Sequence, residues 1–216
     1  MMNTATKAYV LHSRPFKDTH LIVDLYTKNH GRMSVLARHA KGNNVKNNIW
    51  QPFILLELTW QGKGDLPSVT HAEAIDYSIQ LQGTSLFCGF YLNELLQKLI
   101  PKAESCEVIW RLYSESLKVL MIPHLLEPGL RRFELGLLQA LGLGINFHED
   151  ATGDRLVENH YYQYQSNRGW RLVTAKDNAF SGDLISRWHR CLLTHAWDPN
   201  WAEKIEQEAV DVWSQA

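Results

Sequence analysis

The feature that most constrains the fold is a succession of period-two segments near the start of the chain: AYVLHSR, HLIVDLYT, RMSVLARHA and WQPFILLELTW. Leu21, Val23 and Leu25 alternate with Ile22 and Asp24, and Val35 follows Met33 on one face. Period two commits each run to a pleated strand with one side on a core. The connectors RPFKD, KNHG and KGNNVKNN are rich in strand-breaking Gly, Asn, Asp and Pro, and carry Lys or Arg at most corners. A fifth strand over about residues 66–72 follows the turn Gly62-Lys63-Gly64-Asp65. Five short strands with one longer connection, residues 41–49, suit an OB-type barrel, although an SH3-like barrel has similar local signals.

Near residue 80 the pattern changes. SLFCGFYLNELLQKLI, SCEVIWRLYSESLKVL and EPGLRRFELGLLQALG repeat apolar residues at spacings of three and four, which predicts three helices. Thr84 or Ser85 is the expected cap of the first and Pro101 its stop. Pro128 suits the first turn of the third, and Gly142 or Gly144 its end. Alternating aromatics around Asn167-Arg168-Gly169 predict a β-hairpin inserted at 154–174, and two further helices are expected near 182–196 and 200–214. The fold class is therefore α+β: an OB-type barrel over residues 1–78, then a helical-bundle domain over 79–216 with a small β insertion.

The formal charge of −1 conceals an asymmetry. Residues 1–50 hold eight Lys/Arg against Asp18 and Asp24, a net of +6, which leaves −7 on the remainder. A cationic first segment suits a polyanionic partner, although charge alone equally describes a solvated face. Cys88, Cys106 and Cys191 are widely separated in apolar runs, so reduced, packed thiols are expected rather than disulfides. The start of the chain lacks an apolar signal region, and no run approaches the ~18 apolar residues of a membrane span, so a cytoplasmic protein is expected.

No phosphate-loop, GxSxG or HExxH pattern is present, and catalysis is not expected. His148, Glu149, Asp150 and Asp154 are the densest set of potential metal ligands, but their spacing matches no zinc pattern and such loop residues usually cap or face water. His189, Cys191 and His195 form a weaker set, because positions 189 and 191 face different sides of a helix. The barrel rim is better supported. Arg14, Lys17, Arg32, Arg38, Lys41 and Lys46 would follow a phosphate backbone while an aromatic receives unstacked bases. Trp50, beside the basic loop, is the preferred stacker; Phe16 is a further candidate, and Tyr26 and Trp60 sit on strand interiors where core roles are expected. On the third helix, Arg131 and Arg132 precede Leu135 and Leu138 by one turn, an arrangement able to hold a chain-terminal carboxylate beside an apolar groove. The competing reading pairs those arginines with Glu127 or Glu134.

The ordered motifs AYVLHSRPFKDTHLIVDLYTKNHGR, QPF, FYLNELL (90–96) and LRRFELGLLQALGLGINF (130–147) resemble the bacterial RecO family of DNA repair proteins, over about residues 7–180. The resemblance implies an N-terminal OB domain, a helical domain, and recombination mediation without chemistry. It implies binding of single- and double-stranded DNA, strand annealing, association with RecR, and capture of the C-terminal tail of single-stranded DNA-binding protein, so that RecA loads on coated strands. It places DNA contacts on the basic barrel positions, Arg14 and Arg32 foremost, and the tail site around Arg131, Arg132, Leu135 and Leu138. Many family members carry a four-cysteine zinc site after the GLG turn. INFHEDATG stands there in this chain, so a zinc-free branch and no cofactor are expected. The C-terminal residues 198–216 carry Lys204 against five acids, unlike the basic tail of many members. A monomer is expected. The competing classes are an adaptor whose barrel is only structural, and a metal-dependent hydrolase using His148, Glu149 and Asp150.

Overall fold

The computed structural model describes residues 5–38, 49–62, 64–174 and 179–189. Five strands, β1 (Thr6–Phe16), β2 (His20–Thr27), β3 (Gly31–Ala37), β4 (Leu55–Gln61) and β5 (Ser68–Asp76), close into a barrel in the order β1-β2-β3-β5-β4. All pairings are antiparallel except β3 with β5, which meet in parallel at Leu36 and Ser68. This mixed, closed barrel is the OB-type arrangement. The alternation read from sequence fills it: Ala8 and Val10, Val23 and Leu25, Val35 and Ala37, and Leu56, Leu58 and Trp60 all point inward.

On β1 an extra residue breaks the alternation. The β1–β2 register shifts between Val10 and His12, leaving Leu11 as the extra residue of a β-bulge. Leu11 is buried, and its carbonyl would be an orphan in the core without a donor. Asn93 supplies it, donating from Nδ2 at 2.8 Å, while its own Oδ1 accepts the Tyr113 hydroxyl at 2.5 Å. Asn93 of the FYLNELL motif thus serves the barrel wall.

Asn93 lies on α1 (Thr84–Leu99) and Tyr113 on α2 (Glu107–Val119). Helix α1 is capped by Gly83 rather than by Thr84 or Ser85; the Ser85 hydroxyl donates to the Gln82 carbonyl instead. It ends at Ile100, directly before Pro101. A 3-10 turn, Pro123–Leu125, leads into α3 (Leu126–Ala140). Gly142, at φ 75°, closes α3 while the Leu143 amide bonds the Leu138 carbonyl, as a glycine C-cap requires.

The chain divides into two compact units, Met1–Leu126 and Glu127–Ala216. This packing boundary lies well beyond residue 78, because α1 and α2 are tied to the barrel through Asn93, Tyr113 and Trp110. In the second unit, β6 (Tyr161–Gln165) and β7 (Gly169–Val173) form the hairpin expected from sequence, with Asn167 and Gly169 at positive φ in its turn. A third strand, β8 (Phe180–Ser181), pairs with β6 and precedes α4 (Gly182–His189). Only two residues long, β8 is too short to give a periodic signal. Phe147, Tyr162, Trp170 and Ile185 form the core of this unit. The helix expected over 200–214 lies outside the described residues. Among the described residues, no helix is long and apolar enough to cross a membrane.

Candidate nucleic-acid interface

The outer face of β1, β2 and β3 carries Arg14 and Arg32 of the residues that sequence reading assigned to a polyanion, and Lys17 and Arg38 directly follow its strands. Register places them in rows: Phe16 opposite His20, Arg14 opposite Ile22 and then Leu36, His12 opposite Asp24 and then Ser34, and Tyr9 opposite Tyr26 and then Arg32. The bulge at Leu11 explains how both Tyr9 and His12 come to lie on this face.

Its two ends differ. At one end His12, Arg14 and Lys17 are exposed, Phe16 and His20 are half-buried, and Arg38 is exposed directly after β3. Lys17 takes a left-handed conformation, φ 54°, that brings its Nζ 5.5 Å from the centre of the Phe16 ring. The cation thereby covers an aromatic face without losing its access to water. Asp24 is an acid on the strands of this surface, with Asp18 exposed in the turn beside Lys17; Asp24 accepts the Ser34 hydroxyl and lies 3.9 Å from His12 Nδ1. Sequence reading did not single out His12 and His20. Counting by two from Arg14 finds His12, whereas His20 needs the register of the β1–β2 hairpin.

At the other end the face is roofed. Tyr9 and Tyr26 pack under Trp110 and Tyr113, with ring centres 5.2–6.2 Å apart and the Tyr113 contacts edge-on. Burial, with Asp76 nearby, pushes the Tyr9 phenol up to about 12, and burial raises those of Tyr26 and Tyr113 as well. These phenols are structural, uncharged groups at any physiological pH. Arg32 belongs to this covered end: its Nε donates to the Ile100 carbonyl at 3.0 Å, and its own carbonyl accepts the Ala103 amide at 3.0 Å. Gly31 permits that approach. At φ +64° a Cβ there would stand 2.0 Å from the Glu104 carbonyl oxygen.

Trp50 is a correction. Sequence places it beside the basic loop as a stacking platform, but it is 7% exposed and belongs to the barrel core with Ile49, Leu56 and Leu58. An indole next to an open barrel end gains more by plugging it than by facing water. Trp60 is in the core as expected, and Tyr26 is buried, though under α2 rather than inside the barrel. Lys41 and Lys46 lie outside the described residues.

On α3, Arg131, Leu135 and Leu138 fall on one stripe at spacings of four and three. Leu135 and Leu138 are half-buried, and Arg131 pairs with Glu134 at 2.6 Å, the partner that the competing sequence reading named. Arg132 is buried, so the two arginines do not form a surface fork.

The residues 148–154 form a self-bonded loop. Asp150 accepts the Thr152 hydroxyl, the Thr152 amide and the Asp154 amide, and these bonds hold its carboxyl below the ordinary value. Its Oδ1 is thereby committed to the turn. Among the described residues, no group of three or more His, Cys, Asp or Glu is placed to hold a metal ion. His148 instead stacks edge-on to His189 at 4.4 Å; burial, with His148 second, lowers the His189 imidazole. Cys88 and Cys106 are free thiols, while Cys191 and His195 lie outside the described residues.

Two family models match the chain: Recombination protein O N terminal over residues 1–78, and Recombination protein O C terminal over residues 80–182. The DNA repair protein RecO of Methylococcus capsulatus is 40% identical over 174 residues, covering 80% of this chain and 71% of that protein. Those of Actinobacillus succinogenes and Haemophilus influenzae are 38% and 37% identical, each over 86% of this chain and 80% of their own length.

Proposed function

The chain belongs to the RecO family, and on that premise we propose that it is a non-enzymatic recombination mediator whose barrel holds DNA by the open end of the β1–β2–β3 outer face. The observation that carries this reading is the clustering of Arg14 on β1, Lys17 in the β1–β2 turn and Arg38 directly after β3, all exposed, with exposed His12 and half-buried His20 and Phe16. Arg14 on β1, and Lys17 and Arg38 each directly after a strand end, are cations whose backbone the barrel holds, so phosphates meet them without a large ordering cost. Phe16 replaces Trp50 as the aromatic that receives a base. The contacts are to backbone charge and a ring face, which makes binding tolerant of sequence and accepting of both single and double strands.

Annealing follows from the same surface, because a strand whose charge is partly neutralised repels its complement less. The second contact of the mediator is the tail of single-stranded DNA-binding protein on the α3 stripe of Arg131, Leu135 and Leu138. The half-exposed arginine and the two leucines beside it support a site for an acidic peptide ending in an aromatic residue and a free carboxylate. That carboxylate replaces Glu134 as the partner of Arg131, and Arg132 acts from beneath as part of the packing. Two weak contacts on one coated filament, with RecR as the further partner, then favour RecA loading by avidity alone.

Replacing Arg14 and Arg38 together by Glu tests the barrel assignment. Single-strand affinity at about 0.1 M salt should fall at least roughly tenfold and its salt dependence should flatten, since each lost phosphate contact removes about 0.7 from the slope. Binding of the tail peptide should not change. Unaltered DNA affinity in the double variant would remove DNA from this face and leave the barrel as a structural module of an adaptor.

A further inference from the structure

Where the exposed face meets its roof, the barrel wall opens into a pocket of about 260 Å³ lined by His30, Arg32, Ser34, Trp60, Asp65 and Lys102. A single water needs only ~10–15 Å³ on the same scale, so the space admits a polyatomic group. Its walls are fixed. The Thr27 hydroxyl donates to the Gly31 carbonyl at 2.8 Å and accepts the His30 amide at 3.0 Å, which locks the β2–β3 turn. The His30 ring then stands edge-on to Trp60 at 5.0 Å. The bond from Arg32 Nε to Ile100 sets the guanidinium, and Lys102 is aligned beside Arg32 in a parallel bridge between their backbones. Across the opening, the β4–β5 connection contributes Gly62 and Gly64, both at positive φ, which lets backbone approach a ligand closely.

Two permanent cations and an imidazole face one acid, Asp65, around a space bounded by an apolar indole. We propose that this pocket is a phosphate-anchoring site that takes one phosphate of the strand bound on the β1–β2–β3 face. Arg32 and Ser34 lie on the same side of β3 as Leu36, and Arg38 is exposed just beyond the strand. A nucleic-acid strand crossing the open face runs ~20 Å along β3 from Arg38 to Arg32, and the roof of residues 100–104 turns it into the pocket. The inference rests on the DNA-binding reading and adds to it a defined end of the path. The Arg32 guanidinium supplies a fixed fork for phosphate oxygens, Lys102 a mobile charge, and Asp65 sets an opposing field that weakens the site.

The test uses the full chain and labelled oligothymidylate, with anisotropy followed across a salt series. Arg32 is left intact because it holds the 100–103 segment. Lys102→Ala with His30→Ala should weaken binding roughly tenfold and flatten the salt slope by about 0.7, the one permanent cation removed. Asp65→Asn should act in the opposite direction, tightening binding several-fold and steepening the slope. A residue with only a structural role would not give that pair of opposed shifts. The Arg14→Glu, Arg38→Glu variant reports on the open face separately. If that variant loses DNA while the pocket variants match the parent protein, the anchoring site is wrong and the DNA face stands. If the pocket variants alter binding of the acidic tail peptide and leave DNA untouched, the pocket takes a carboxylate and the proposal is equally overturned.

Discussion

The two ends of one β-sheet face, built from the same three strands, have opposite fates. Tyr9, Tyr26 and Arg32 are covered by α2 and residues 100–104, whereas His12, Arg14, Phe16 and His20 stay accessible. Both ends offer aromatics and arginine on alternate positions, so residue type does not separate them. What separates them is the helical layer that follows in sequence and the bulge at Leu11 that lets it dock. Arginine on this face is therefore open along its whole side chain at position 14, whereas at position 32 its Nε is tied to the Ile100 carbonyl and only the rest of the guanidinium lines the pocket.

The comparison can be broken hardest at Gly31. Gly31→Ala combines a left-handed conformation with a Cβ on top of Glu104, and it should cost roughly 3 kcal/mol in denaturant unfolding. A loss below 1 kcal/mol would mean that the roof over Arg32 is loose. Next comes Asn93→Ala, which removes the donor to the Leu11 carbonyl and an acceptor of the Tyr113 hydroxyl in a buried setting. About 2 kcal/mol is expected, and amide hydrogen exchange of β1 should accelerate with it. The sharpest contrast is also the smallest. Arg32→Ala should lower stability by about 1.5 kcal/mol through the lost bond to Ile100, while Arg14→Ala should stay within about 0.5 kcal/mol and weaken DNA binding without a comparable stability loss. Equal stability losses in the two variants would erase the distinction between the ends.

Much of this was legible before any coordinates. Period two over the first strands and period 3.6 after residue 80 gave the barrel, the helices and the hairpin, because core burial enforces both periods. The Schellman end at Gly142 and the stop before Pro101 were equally open to reading. The candidate site was only half legible. Trp50 has the composition of a surface stacker and the position of a plug, and only closure of the barrel decides between them. Arg32 looks like Arg14 until a contact 68 positions away claims it. The motif residues Gly31 and Asn93 are explained by packing, not by ligands, and the arginine pair on α3 splits because one of its members turns inward.

The bulge held by Asn93 has a practical corollary for anyone wishing to excise the barrel. A fragment cut after residue 78 would match one whole family model, yet it would leave the Leu11 carbonyl without its amide donor and strip the cover from Tyr9 and Tyr26. Two naked tyrosine faces beside the cationic rim would give that fragment a greasy, adhesive surface, and its apparent appetite for nucleic acid would mix true recognition with simple stickiness. The smallest piece with an honest surface runs through α2.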